Sequence, residues 1–213
     1  MNNVKINCKN CDETIVLNLN EFVDISEMPE FKEKILDGRF FLVKCPKCGD
    51  ETLIEYQMVY IDPDKKLNIY LSPDFDGSVL EDLNSLEIPE EAIDKEAIFR
   101  LVETSGELIE KIMIFDRNRD DRIIELYKVV LAQQLSEDWP EIKSSDLIYY
   151  ADEDECFIVW NAAGSLEGEQ LTVLLNEEMY EELEGYRDEL EIPPGKYAKV
   201  DTEWIEERVY TGE

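Results

Sequence analysis

Five cysteines carry most of the chemistry open to this sequence, and four of them form two C-x-x-C pairs. These are Cys8-Lys9-Asn10-Cys11 and Cys45-Pro46-Lys47-Cys48, separated by 33 residues. A C-x-x-C turn presents two thiolates to one ion, so two such turns supply the four sulfurs that a tetrahedral zinc takes at about 2.3 Å. A catalytic zinc keeps one position open, whereas four Cys close the shell. The spacing therefore predicts a structural Zn2+ held by Cys8, Cys11, Cys45 and Cys48. Pro46 presets φ at the start of the second turn, and Gly49 after it is free to take a positive φ. In the first turn Asn10 is expected to fill the left-handed position, which Asn tolerates.

The same cysteines admit other readings. A redox dithiol needs one C-x-x-C beside a βαβ pattern, and here there are two pairs and no parallel-sheet pattern. Structural disulfides suit an exported chain, and the start Met1-Asn2-Asn3-Val4-Lys5 has no apolar stretch of signal-peptide type. Cys156 stands alone in Glu155-Cys156-Phe157-Ile158-Val159 and reads as a buried core thiol.

The absence of histidine removes Ser-His-Asp, Cys-His and all His-ligated metal sites together. With 52 acids against 21 bases the net charge is −31, which argues against direct nucleic-acid binding, since phosphate contacts need clustered Lys and Arg. Lys44 and Lys47 flank the second turn, yet residues 1–75 still hold 14 acids against 9 bases. Residues 136–213 are far more acidic, with 23 against 5. Apolar runs such as Phe157-Ile158-Val159-Trp160 are far shorter than the roughly 20 residues of a membrane-spanning helix. A cytoplasmic chain without membrane contact is expected.

The elements that must position the cysteines are mostly strands. Residues 14–19, 40–43 and 52–60 have β-branched and aromatic enrichment, and 67–71 follows the turn Asp62-Pro63-Asp64-Lys65-Lys66 as a hairpin partner. A helix over 29–36 accounts for the long spacer. Pro29 suits its first turn, Glu30 and Lys34 form an i,i+4 pair, and Gly38 stops it. Residues 88–135 turn to helical period. Thr104-Ser105-Gly106-Glu107 matches a capping box, Ile112 and then Ile123, Leu126 and Val130 mark apolar faces, and Asp116-Arg117-Asn118-Arg119-Asp120 breaks the two helices. This hairpin is expected to pack on the preceding strands. Beyond it, 147–150, 156–160 and 170–175 read as strands. Asn176 then caps a helix with Met179, Leu183, Tyr186 and Leu190 on one face.

The second pair and the residues before it, Phe31-Lys32-Glu33-Lys34-Ile35-Leu36-Asp37-Gly38-Arg39-Phe40-Phe41, resemble the bacterial CpXC-domain family, which is named for two such Cys pairs. The resemblance continues through Tyr60-Ile61-Asp62, Leu67-Asn68-Ile69-Tyr70, a stretch taken as helical at Arg100-Leu101-Val102 and 107–112, and 120–125, covering roughly residues 1–130. It departs at Lys9, where the family has Pro, and at Asp12, where it has Gly, which loosens the first turn without removing a ligand. It implies a metal-holding domain and no activity.

The expected fold is α+β: a zinc-ribbon-like antiparallel sheet with inserted helix, a helical hairpin, and a C-terminal α+β region. Domains are drawn at 1–135 and 136–213, with Ser136-Glu137-Asp138-Trp139-Pro140 at the boundary. The expected function is a zinc-stabilised protein-interaction module or adaptor, whose acidic C-terminal region meets another protein with a basic surface. The alternative is an acidic DNA mimic, carried by Asp152-Glu153-Asp154-Glu155 and by Glu177, Glu178, Glu181, Glu182 and Glu184. A further alternative is an enzyme using surface carboxylates, but no carboxylate pair has a motif around it and no catalytic residue is assigned. Asp74-Phe75-Asp76-Gly77 lacks the third Asp and closing Glu of a calcium loop.

Overall fold

Strand β1 (Asn2–Asn7) pairs antiparallel with β2 (Thr14–Leu19), placing Ile6 opposite Ile15 and Val4 opposite Leu17. The computed structural model from which this is taken describes residues 2–85, 89–161 and 170–209. After the short β3 (Phe22–Asp24) comes helix α1 (Glu30–Leu36), preceded by Pro29 and ended by Gly38 at φ +76°. The Glu30–Lys34 pair does not form. Lys34 instead lies with its Nζ 5.0 Å from the centre of the Phe31 ring. A 3-10 turn, Arg39–Phe41, leads into β4 (Leu42–Lys44), which forms a second antiparallel hairpin with β5 (Glu51–Leu53).

The span 52–60 is therefore not one strand. It splits into β5 and β6 (Met58–Asp62), which belong to different sheets. β6 and β7 (Leu67–Leu71) make the expected hairpin, and Asp62 caps the intervening turn by accepting from the Lys65 N–H at 3.2 Å. Alternate residues of both strands, Met58, Tyr60, Leu67, Ile69 and Leu71, are buried, as period-2 patterning requires. Helix α2 (Ser78–Ser85) follows. Residues 98–102, expected as helix, are strand β8 (Ile98–Val102), and Ile98, Phe99 and Val102 have the strand enrichment that decides it. The four-stranded sheet runs β3-β6-β7-β8 and is mixed: β3 lies parallel to β6, and β7 parallel to β8. Parallel strands are thus present where the sequence pattern suggested none.

Helix α3 (Ser105–Asp116) opens with the expected capping interaction. Thr104 Oγ1 accepts from the Glu107 N–H at 3.1 Å, while the Glu107 carboxylate accepts from the N–H of Glu103 at 2.7 Å. After the turn, where Asn118 takes φ +54°, helix α4 (Asp121–Leu135) is capped by Asp120. Strands β9 (Leu147–Ala151), β10 (Cys156–Asn161) and β11 (Gln170–Leu174) form an antiparallel meander. Helix α5 (Glu177–Leu183) is capped by Asn176, whose Oδ1 accepts from the Met179 N–H at 3.1 Å, and continues as a 3-10 segment to Leu190. This tighter winding changes the buried face: Tyr180, Leu183 and Leu190 are buried, whereas Tyr186 is exposed. Helix α6 (Thr202–Val209) ends the described chain.

By its contacts the chain divides into two units, Met1–Ile109 with Pro194–Ala198, and Glu110–Pro193 with Lys199–Glu213. The division falls within α3 and not at the expected boundary after residue 135. The reason lies in the packing of α4. Ile123, Leu126 and Tyr127 share one core with Leu147, Tyr149, Ile158 and Trp160, so the helix is packed on the strands that follow it. Ile112, Ile123 and Leu126 are buried as expected, and Val130 is partly so. Among the described residues no helix is long and apolar enough to cross a membrane.

Candidate metal centre

Both cysteine turns are built on the same backbone plan. In the first, the Cys8 N–H donates to the Glu13 carbonyl at 2.8 Å, and the Asp12 N–H donates to the Cys8 carbonyl at 3.0 Å. In the second, the Cys45 N–H donates to the Asp50 carbonyl at 2.8 Å, and the Gly49 N–H to the Cys45 carbonyl at 2.9 Å. The fifth residue of each turn is left-handed, Asp12 at φ +55° and Gly49 at φ +78°. The left-handed position of the first turn therefore belongs to Asp12 and not to Asn10.

The two hairpins bring the sulfurs together. Cys8 Sγ lies 3.6 Å from Cys48 Sγ, and Cys11 Sγ 3.7 Å from Cys45 Sγ. All four Sγ atoms lie within 4.8 Å of one another. All are free thiols, unbridged by disulfides. Cys8 and Cys45 are buried, Cys11 is half-buried and Cys48 is exposed. Ile15 is buried behind them, with Ile6, Leu17 and Val43 packed alongside. Lys47 pairs with Glu13 at 3.3 Å, joining the two turns at the surface.

Backbone N–H groups favour the thiolate at Cys8, Cys11 and Cys45, whereas the neighbouring sulfurs raise Cys8 and Cys11 and lower Cys45. Cys45 is brought down to about 7, first by the N–H of Cys48 and, against burial, by that of Lys47. Cys11 goes up to about 12: the Glu13 N–H favours its thiolate, but burial and the three neighbouring sulfurs outweigh it. Cys8 is raised as well, the N–H groups of Asn10 and Cys11 being outweighed by burial and the sulfurs of Cys48 and Cys45. Thiolates this close repel one another, and a cation among them would offset that repulsion. The donor set fits one. Bonds of about 2.3 Å at tetrahedral angles put sulfurs about 3.8 Å apart, within the range observed.

The family model of the CpXC protein matches residues 6–128. The chain belongs to the CpXC family. No curated protein and no solved structure matches it. The matched CpXC region holds both cysteine turns, the sheet β3-β6-β7-β8 and most of the α3–α4 hairpin.

A second polar cluster, absent from the sequence reading, lies within the helical hairpin. Glu110, Lys111, Asp121, Glu125 and Lys128 are all buried. Lys111 Nζ lies 2.9 Å from Glu125 and 3.2 Å from Asp121, and donates to the Val200 carbonyl at 2.6 Å. Lys128 Nζ lies 2.7 Å from Glu110 and 3.1 Å from Glu125, and Glu110 also accepts from the Tyr149 N–H at 2.5 Å. Three carboxylates face two ammonium groups. Burial pushes the Glu110 carboxyl up, against the pull of Lys128. Each charge is paired and hydrogen-bonded, as a buried charge must be. Polarity alone gives no sign of this, because Lys and Glu are ordinarily exposed.

Cys156 is buried as expected and accepts a hydrogen bond from the Tyr149 hydroxyl at 3.0 Å.

Proposed function

We propose that the chain is a zinc-stabilised protein-interaction module, an adaptor whose acidic C-terminal region meets a basic surface on another protein. The grouping of four sulfurs from two hairpins within 4.8 Å carries the reading. An all-thiolate tetrad suits a soft or borderline ion, and zinc has no geometric demand beyond the tetrahedron. With Cys8, Cys11, Cys45 and Cys48 as its ligands the ion has a closed shell, so it supplies rigidity to two short hairpins and no reaction. Hairpins of this length are marginal alone in water, and metal binding adds its free energy to folding. The acids support the second half of the reading. Asp152, Glu153, Asp154, Glu155, Glu178, Glu181 and Glu182 are exposed, and such a field steers encounter with a basic partner.

Elemental analysis of protein purified without added metal is expected to find about one zinc per chain. A strong chelator is expected to lower the melting temperature; metal-free protein that melts unchanged rejects the zinc. Affinity purification at low and high ionic strength tests the partner. A basic protein released near 1 M salt, where the Debye length is about 3 Å, supports the adaptor. A DNA-binding protein from which DNA displaces this chain supports mimicry instead. Retention that ignores salt rejects both.

A further inference from the structure

The first unit contains a cleft of 230 Å³ between the end of β2, helix α1 and the turn Arg39–Phe41. Four of its lining side chains form a continuous run of rings. Phe31 meets Phe40 at 5.3 Å between centroids, Phe40 meets Phe41 at 5.1 Å, and Phe41 meets Tyr56 at 6.5 Å. Among the described residues, the charged groups lining it are Lys34 and Arg39. Among the described residues no carboxylate lines the cleft, although Asp37 and Glu33 both pair with Arg39.

The two cations are differently committed. Arg39 is bound to Asp37, its Nε 2.6 Å from Oδ2. Lys34 has no carboxylate partner among the described residues, although Glu30 stands one turn before it at the spacing that favours a pair. Its ammonium lies over the Phe31 ring, beside the aromatic wall. A cation held on a ring face keeps its capacity to pair with an incoming anion.

We propose that this cleft binds a small organic anion, a single aromatic group on a short chain ending in a carboxylate. The ring lies against Phe31, Phe40 and Tyr56, and the carboxylate pairs with Lys34. The volume sets the size, because it falls below the roughly 300–1,000 Å³ of sites for drug-sized molecules. A second copy of the chain does not fit the charge, since each copy carries −31. That overall charge does not exclude a small anion: at physiological salt the Debye length is about 8 Å, so distant carboxylates are screened while Lys34 acts at contact. The inference does not rest on the adaptor reading, and because Leu17 and Val43 line the cleft and also pack on the cysteine cluster, it is tested on metal-loaded protein.

The test is a titration of the full, metal-loaded, 15N-labelled chain with 3-phenylpropionate, followed by amide chemical shifts. Saturable shifts centred on the end of β2, α1 and residues 39–41 are expected. Lys34→Gln is expected to weaken the acid about five- to tenfold, roughly 1–1.4 kcal/mol. Neutral 3-phenylpropanol is expected to bind wild type about tenfold more weakly than the acid, and to bind Lys34→Gln as it binds wild type. That last measurement shows that the cleft survives the substitution. No saturable shift up to about 10 mM acid overturns the proposal. So does equal affinity for acid and alcohol, or an acid affinity untouched by Lys34→Gln.

Discussion

Asp12 stands in the first cysteine turn where Gly49 stands in the second. Each donates its N–H to the carbonyl of the first cysteine of its turn, and each has a positive φ, +55° and +78°. Left-handed backbone costs an L-residue about 1–2 kcal/mol, with Asp among the residues that tolerate it best. Asp12→Gly is therefore expected to leave the fold intact and to raise stability by up to about 1 kcal/mol, the gain being limited by the greater freedom of glycine when unfolded. Gly49→Val is expected to cost at least about 2 kcal/mol, because a β-branched residue is a true outlier there. A Cβ at Gly49 meets nothing closer than Lys44 Cε at 3.9 Å, so the cost is one of backbone and not of collision. Thermal melts of the metal-loaded variants measure both. A Gly49→Val protein as stable as wild type rejects the argument.

The cysteines separate by role. Cys45→Ser is expected to take the metal content from about one ion per chain to near zero, since a structural site needs all four thiolates. It is expected to loosen the two hairpins as well. Cys156→Ser is expected to leave metal content unchanged and to shift stability modestly, because the Tyr149 hydroxyl can donate to a serine oxygen as it does to Sγ. Metal analysis and circular dichroism on both variants distinguish the roles. A Cys156→Ser chain that lost its metal would place that cysteine in the site.

What was legible in the sequence was local. The two C-x-x-C turns, the capping interactions at Thr104 and Asn176, the stop at Gly38 and the hairpin turn at Asp62 each depend on residues within a few positions of one another. The parallel pairings were not legible, because Phe22 lies beside Val59 and Leu67 beside Ile98 with no turn chemistry to announce it. The same limit hid which strands α4 packs against. Its apolar stripe is plain, but a stripe says only that a face is buried and not by what. Lys34 shows a subtler failure. The i,i+4 spacing to Glu30 predicts an ion pair, yet the ammonium lies over the Phe31 ring instead. For the site, the grouping of the four cysteines followed from their spacing, while the aromatic cleft needs α1, β2 and the turn at 39–41 to be placed together.

The buried charges of the helical hairpin give a pH-dependent prediction. Burial lowers Lys128, but the carboxylates of Glu110 and Glu125 outweigh it and hold the ammonium above its ordinary value. Burial likewise opposes Lys111, which Glu125 and Asp121 raise. A lysine raised on folding contributes stability that is complete below its unfolded value of about 10.4 and lost as pH climbs through the folded value. Lys128→Met leaves Glu110 without its ammonium partner and is expected to cost about 3–5 kcal/mol near pH 8. The gap to wild type is expected to narrow once pH exceeds about 10.4. Urea unfolding at both pH values measures it. A gap that widens in alkali contradicts the assignment.

Removal of a large core side chain tests the second unit's packing. Trp160 is buried among the residues that join α4 to β9 and β10. Trp160→Ala is expected to cost about 3–5 kcal/mol, the sum of lost transfer energy and the cavity left behind. Tryptophan fluorescence and calorimetry follow the change, and a loss below about 1 kcal/mol shows that the site collapses or that the core is drawn wrongly.

The exposed acids carry a cost in the folded chain that salt should reveal. Residues 136–213 hold 23 acids and 5 bases, and only some of the acids are paired, as Glu177 is with Arg119 at 2.6 Å. A net charge this far from zero destabilises the compact state through self-repulsion. Raising ionic strength from about 0.01 M to 0.15 M shortens the Debye length from about 30 Å to about 8 Å, so repulsion between separated carboxylates fades while contact pairs weaken less. The melting temperature of the full chain is therefore expected to rise over that range. The exposed Glu181 and Glu182 are not engaged in any pair among the described residues. Changing both to Gln is expected to raise the low-salt melting temperature and to reduce its rise with salt. That outcome makes the acids a stability cost in the free protein, as expected of charge held for a partner and not for the fold. A melting temperature that falls with salt means that ion pairs outweigh repulsion, and the acidic region is then better explained as part of the fold's own stabilisation.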